Sequence, residues 1–247
     1  MAVDRPDPRA GRRLESLPSL PAPVRRPAAA VAPRAAPVVP VWRLLRWPVL
    51  LTLAVTLLRL AGELLGWSTY WFSPLPGGGL APVGIAWLAP LVGVWCGFRL
   101  QRLGLRPPSI GLGLGVPLVS LALAPALPWL ANRVHETSWT LHLVAWAITS
   151  VFVAALSATA WPALGRLLLV YALAARLPVL LVMAAAMWRR WGTHYDVVPP
   201  GFPPMTMLER WLWIGLLPQA TIWVALTVGV GAAFGVLGWL LASRLPR

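Results

Sequence analysis

The chain has 247 residues, of which 58% are hydrophobic and 11% charged, with 21 basic against 7 acidic side chains. A water-soluble domain carries about 25% charged residues, so too little polar surface exists here to face water all round, and the long Leu, Val and Ala runs exclude a disordered chain. The net charge of +14 does not point to nucleic acid, because every basic residue is Arg and most gather at one predicted end of the apolar segments, as the positive-inside bias requires.

Residues 1–40 are rich in Pro, Arg and Ala, and prolines at 6, 8, 18, 21, 23, 27, 33, 37 and 40 rule out a regular helix. A disordered, basic, cytoplasmic tail is expected, drawn to anionic lipid headgroups. No short cleavable apolar region precedes the first long one, so a signal peptide is not expected. Docking of the proline-rich tail into a partner's aromatic groove is the alternative.

Residues 41–247 form the second domain, with six apolar stretches at about 47–67, 81–99, 109–131, 139–163, 167–188 and 211–241. Each is close to the roughly 20 residues that cross a bilayer as a helix. The expected fold is an all-α membrane protein, a six-transmembrane-helix bundle, N-in/C-in. The turn at Pro162–Arg166 is very short, and the last stretch exceeds the bilayer, which implies tilt or a kink at Pro218.

Arg placement sets the orientation. With the N-terminus inside, the cytoplasmic segments hold 15 Arg and the outer ones four (Arg133, Arg189, Arg190 and Arg210), leaving Arg59 and Arg176 in the membrane. Trp67, Trp71, Trp129, Trp139 and Trp188 fall at the outer interface, and Trp42, Trp47, Trp95, Trp161 and Trp239 at the inner one, where indole rings favour the headgroup boundary. The expected location is the bacterial cytoplasmic membrane, with both termini cytoplasmic.

Four G-x-x-x-G spacings (Gly62/Gly66, Gly93/Gly97, Gly111/Gly115 and Gly231/Gly235) offer close helix contacts within the chain, or to a homo-oligomer or protein partner. Cys96 is the lone cysteine, so no internal disulfide forms.

Ionisable groups at membrane depth are costly and need an account. Arg59 and Glu63, four apart on the first span, share a face and can pair. At 1.5 Å per residue, Arg59 lies roughly 18 Å from the inner boundary, Glu63 about 24 Å and Arg176 about 14 Å. Gln219 comes out level with Arg59, and His142 with Glu63. Arg59, Glu63, His142, Arg176 and Gln219 are therefore the candidate ligand-binding residues. Two Arg against one Glu leaves a guanidinium that a small anionic ligand would balance. The structural alternative is a self-satisfied Arg59–Glu63 pair, with Arg176 on carbonyls freed near Pro178 and Pro218.

Two outer loops, 68–79 and 191–204, border this cluster, and four prolines stiffen the second. His194, Tyr195 and Asp196 are its candidate residues, with His194 and Asp196 weighed as an acid–base pair. His135 and Glu136 lie on the same side, but the spacing matches no metal motif and no metal or cofactor is expected. Nucleotide-binding, zinc-protease and serine-hydrolase signatures are absent. The expected function is a small solute-binding or transport subunit with an outward-facing polar pocket, not an enzyme. The alternatives are an assembly protein whose helices and tail bind partners, and an outer-leaflet enzyme.

Overall fold

The computed structural model describes residues 39–79, 81–134 and 138–246. The proline-rich tail up to residue 38, together with His135 and Glu136, lies outside the described residues.

Helix is the only regular secondary structure among the described residues, as backbone in lipid requires when no closed barrel is built. Helix α1 (Val41–Leu64) begins six residues earlier than the predicted first span, because Pro40 just before it and Pro48 in its second turn leave the ladder intact enough to start there. Helix α2 (Leu88–Arg102) is only 15 residues long. It starts seven residues later than the predicted second span, because Ala81–Trp87, with Pro82 and Gly84, is not helical. At 1.5 Å per residue α2 reaches roughly 22 Å, short of a hydrocarbon core of about 30 Å.

Helices α3 (Ile110–Leu123) and α4 (Ala126–Val134) divide the third predicted span at Ala124–Pro125. Ser109 caps α3 by accepting from the Leu112 amide, and Ser138 does the same for α5 (Trp139–Ala160) from Leu141. Only Trp161 separates α5 from α6 (Pro162–Arg189), whose first position is the proline that a helix start accepts. Gly165 lets the turn close, since a Cβ there would strike the Ala158 backbone.

The last segment is irregular where the sequence reading places a kink. Helix α7 (Met207–Arg210) opens with a Thr206/Glu209 capping box. A π-helical turn, Trp211–Leu216, leads into α8 (Leu217–Ala220), and Thr221 breaks the chain before α9 (Ile222–Ser243). Pro218 lacks the amide hydrogen that would bond back one turn, which accounts for the adjoining π turn.

Helix α9 is the hub, packed by α2, α3, α5 and α6. Its contact with α2 is backbone to backbone. A Cβ on Gly93 or Gly97 would collide with the carbonyls of Gly231 or Gly235 respectively, and one on Gly238 with Val94. Two of the four G-x-x-x-G stripes are thus used against each other within the chain. The largest apolar cluster joins Leu44 and Leu45 of α1, Cys96 and Leu100 of α2, Leu168 and Tyr171 of α6, and Val228 and Val236 of α9.

Leu51, Leu58, Phe152, Leu177, Leu181 and Leu237 are exposed on the outside of the bundle, far more apolar surface than a water-soluble fold leaves uncovered. Among the described residues, five helical stretches are long and apolar enough to cross a membrane: Val41–Leu64, Ile110–Arg133, Trp139–Ala160, Pro162–Arg189 and Met207–Ser243. The chain is a membrane-embedded helical protein.

Candidate functional site: a cavity between two clamped loops

Arg59 and Glu63 lie one turn apart on α1, and the expected pair is formed: Arg59 Nε donates to Glu63 Oε1 at 2.9 Å. The rest of the Arg59 guanidinium is spent on backbone. Its Nη2 donates to the carbonyls of Ser73 (3.0 Å) and Gly78 (2.9 Å), and its Nη1 to that of Val83. Two carbonyls of the 68–79 loop and one of the non-helical Ala81–Trp87 segment are thereby satisfied by one side chain. Gly78, at a φ of 81°, takes a conformation open to glycine, and a Cβ there would also displace the Arg59 guanidinium.

Glu63, whose side chain is 0% exposed, ties in the second loop. Its Oε2 accepts from the His194 amide at 2.8 Å, and its Oε1 contacts His194 Nδ1. The ionised Glu63 carboxylate favours the hydrogen on Nδ1, which leaves the 3.3 Å approach of Arg59 Nε to that same nitrogen a contact and not a hydrogen bond. Burial, helped by Arg59, holds the His194 pKa below its ordinary value despite the hydrogen bond to Glu63.

Asp196 serves its own loop. Its carboxylate accepts from the amides of Gly192 (2.9 Å) and Thr193 (2.7 Å) and from the Thr193 hydroxyl (2.7 Å), a local turn closure typical of Asp. The weighed His194–Asp196 pair is replaced by His194–Glu63. Tyr195 is buried, stacks on the His194 ring at 3.8 Å between centroids, and donates to the Thr56 carbonyl at 3.3 Å. Its burial pushes the phenol pKa up.

Beneath the loops lies a cavity of about 640 Å³, lined among others by Arg59, Arg176, His194, Tyr195, Gln219 and Trp223. Arg176, on α6, is 5% exposed. Nη1 donates to Gln219 Oε1 at 3.4 Å, Nη2 to the Thr227 hydroxyl at 3.2 Å, and the Trp223 ring lies 5.3 Å from its central carbon. All three partners are neutral. Nε has no partner among the described residues, so three of the five N–H groups are unspent. The carbonyls expected near Pro178 and Pro218 are not what Arg176 bonds.

Four of the five expected cluster residues, Arg59, Glu63, Arg176 and Gln219, therefore lie at or directly behind this cavity. His142 does not. It sits on α5, where its Nε2 accepts from Trp146 Nε1 at 3.0 Å one turn along. Position along a helix carries no information about azimuth. Thr227 and Trp223, which hold Arg176, escaped the sequence reading. Their places about one and two turns after Gln219, at successive i+4 positions, were the available signal. Among the described residues, no group of three His, Cys, Asp or Glu side chains is placed to hold a metal ion. Compared with family models, with curated proteins and with solved structures, the chain matches none of them.

Proposed function

We propose that the chain is a small solute-binding or transport subunit that takes an anion into this cavity. The observation that carries the reading is Arg176: a guanidinium nine-tenths buried, three N–H groups unspent, and no carboxylate bonded to it. Desolvating a cation without a counter-charge is costly, and a bound anion removes that cost. Arg59, the other cation on the wall, is already neutralised by Glu63. In a thermal-unfolding screen of purified protein against small anions, a ligand present at a hundred times its Kd adds about 2.7 kcal/mol of stability. The reading expects such a stabilisation in the parent and its loss in Arg176→Gln. A screen in which no anion stabilises the parent overturns it.

The same reading includes six spans with both ends cytoplasmic in a bacterial inner membrane. The Arg asymmetry supports this orientation. The sixth crossing would consist of α2 together with the non-helical Ala81–Trp87, and irregular backbone at membrane depth is tolerated where it lines a cavity. Cys96 is 0% exposed, so single cysteines can be placed against a silent background. Pro200→Cys should react with an impermeant maleimide in intact cells, and Pro108→Cys only after permeabilisation. The reverse pattern inverts the topology.

A further inference from the structure

Resting on the anion-binding reading, we infer that the ligand is a monocarboxylate with an apolar body, its head on Arg176 and its body lying along α6 towards the outer loops. Charge sets the first half of this. Arg59 spends four N–H groups on Glu63, Ser73, Gly78 and Val83, so the cavity offers one unbalanced positive charge and suits a single negative one. Arg176 keeps Nε–H and one hydrogen on each terminal nitrogen. Nε is enclosed, and the remaining pair on the two terminal nitrogens can meet the two oxygens of a carboxylate side by side. The Gln219 amide nitrogen, which donates to the Met183 sulfur at 3.8 Å, has a second hydrogen and can add a third donor.

The walls set the second half. Val179 and Met183 stand three and seven positions after Arg176, on the same face of α6. Ile214 and Trp223 of the last segment, and Ile85 of the non-helical Ala81–Trp87 segment, line the same cavity. From Arg176 to Met183 the face runs roughly 10 Å without a charged group. A hydrophilic anion such as phosphate would leave this surface unpaired, whereas an alkyl or aryl body covers it. A cavity of 640 Å³ is sized for one drug-like molecule. An anionic lipid headgroup offers related chemistry, so the test separates the two sources.

The test uses the full chain in nanodiscs and calorimetric titration with butyrate, hexanoate and octanoate, and with inorganic phosphate and succinate. Affinity should rise by about fourfold per methylene along the monocarboxylates, phosphate and succinate should bind least, and Arg176→Gln should lose the whole series. Ile214→Trp should collapse the octanoate-to-butyrate ratio, which keeps the test alive if Arg176→Gln misfolds. Titrations should agree between discs of phosphatidylcholine alone and discs containing phosphatidylglycerol. Loss of carboxylate binding in the anionic discs assigns the site to a lipid headgroup and overturns the inference. Arg176-dependent binding of phosphate or succinate with no gain from chain length overturns it too, yet leaves the anion reading standing. Failure of every anion overturns both.

Discussion

The Glu63 carboxylate accepts a hydrogen bond from the backbone amide of His194 at 2.8 Å, across 131 positions of sequence. Because Glu63 also holds Arg59, and Arg59 holds the carbonyls of Ser73, Gly78 and Val83, one turn of α1 fastens both loops over the cavity. Removing one partner of such a buried pair leaves the other charge uncompensated, at a cost of about 3–5 kcal/mol. Glu63→Gln should therefore lower the unfolding temperature markedly and open the 197–205 segment to limited proteolysis. An unchanged melting and digestion pattern would remove the clamp from the account.

The clamp is also pH-sensitive through His194. Its folded pKa lies below the ordinary value of 6.5 because of burial, with Arg59 and Glu63 of α1 and Asp196 of its own loop as the charges around it. The unfolded chain binds more protons over that window, so stability is full above about pH 6.5 and falls as pH drops towards the folded pKa. His194→Asn retains a donor where Nδ1 sits but cannot titrate. Melting curves at pH 7.5 and 5.5 should differ in the parent by more than in this variant; equal differences would place the pH response elsewhere.

Asp196 shapes the second loop, not the chemistry of the cavity. Asp196→Ala leaves the amides of Gly192 and Thr193 without their acceptor, a loss of about 1–3 kcal/mol for buried donors. Hydrogen exchange should quicken at residues 191–197 while the transmembrane helices keep their protection. Uniform quickening throughout the bundle would mean that the loop supports the whole fold.

Glycine substitutions separate a packed stripe from a free one. In Gly97→Ala the new methyl would run into the Gly235 carbonyl, whereas in Gly115→Ala it meets nothing within 4 Å. The first should cost several kcal/mol through a forced α2–α9 separation. The second should stabilise the helix by about 0.5–1 kcal/mol. If Gly115→Ala instead destabilises purified protein, α3 uses that face against a partner.

Much of the scaffold is written in local pattern. The long apolar helices, the irregular last segment and the Arg59–Glu63 pair follow from hydropathy, proline position and i,i+4 spacing, whereas the turn expected at Pro162–Arg166 is instead the start of α6, with Trp161 alone as the joint. What spacing does not carry is azimuth and loop path. His142 faces Trp146 and not the cavity, and His194 exchanges its sequence neighbour Asp196 for Glu63 on a distant helix. The carbonyls that saturate Arg59 become acceptors because Ser73 and Val83 lie outside any helix and Gly78 ends a single 3-10 turn, Pro76–Gly78. That, in turn, is why the second helix starts late and why Arg176, not Arg59, is the guanidinium left over.

The most direct measurement is the affinity of one monocarboxylate, such as octanoate, for the parent and for Arg176→Gln, compared in preparations whose unfolding temperatures agree. Truncating one side of a buried charge pair costs about 2–5 kcal/mol, so the account predicts at least about a thirtyfold loss of affinity. Equal affinities in the two proteins would contradict it and return Arg176 to a purely structural role on Gln219, Thr227 and Trp223.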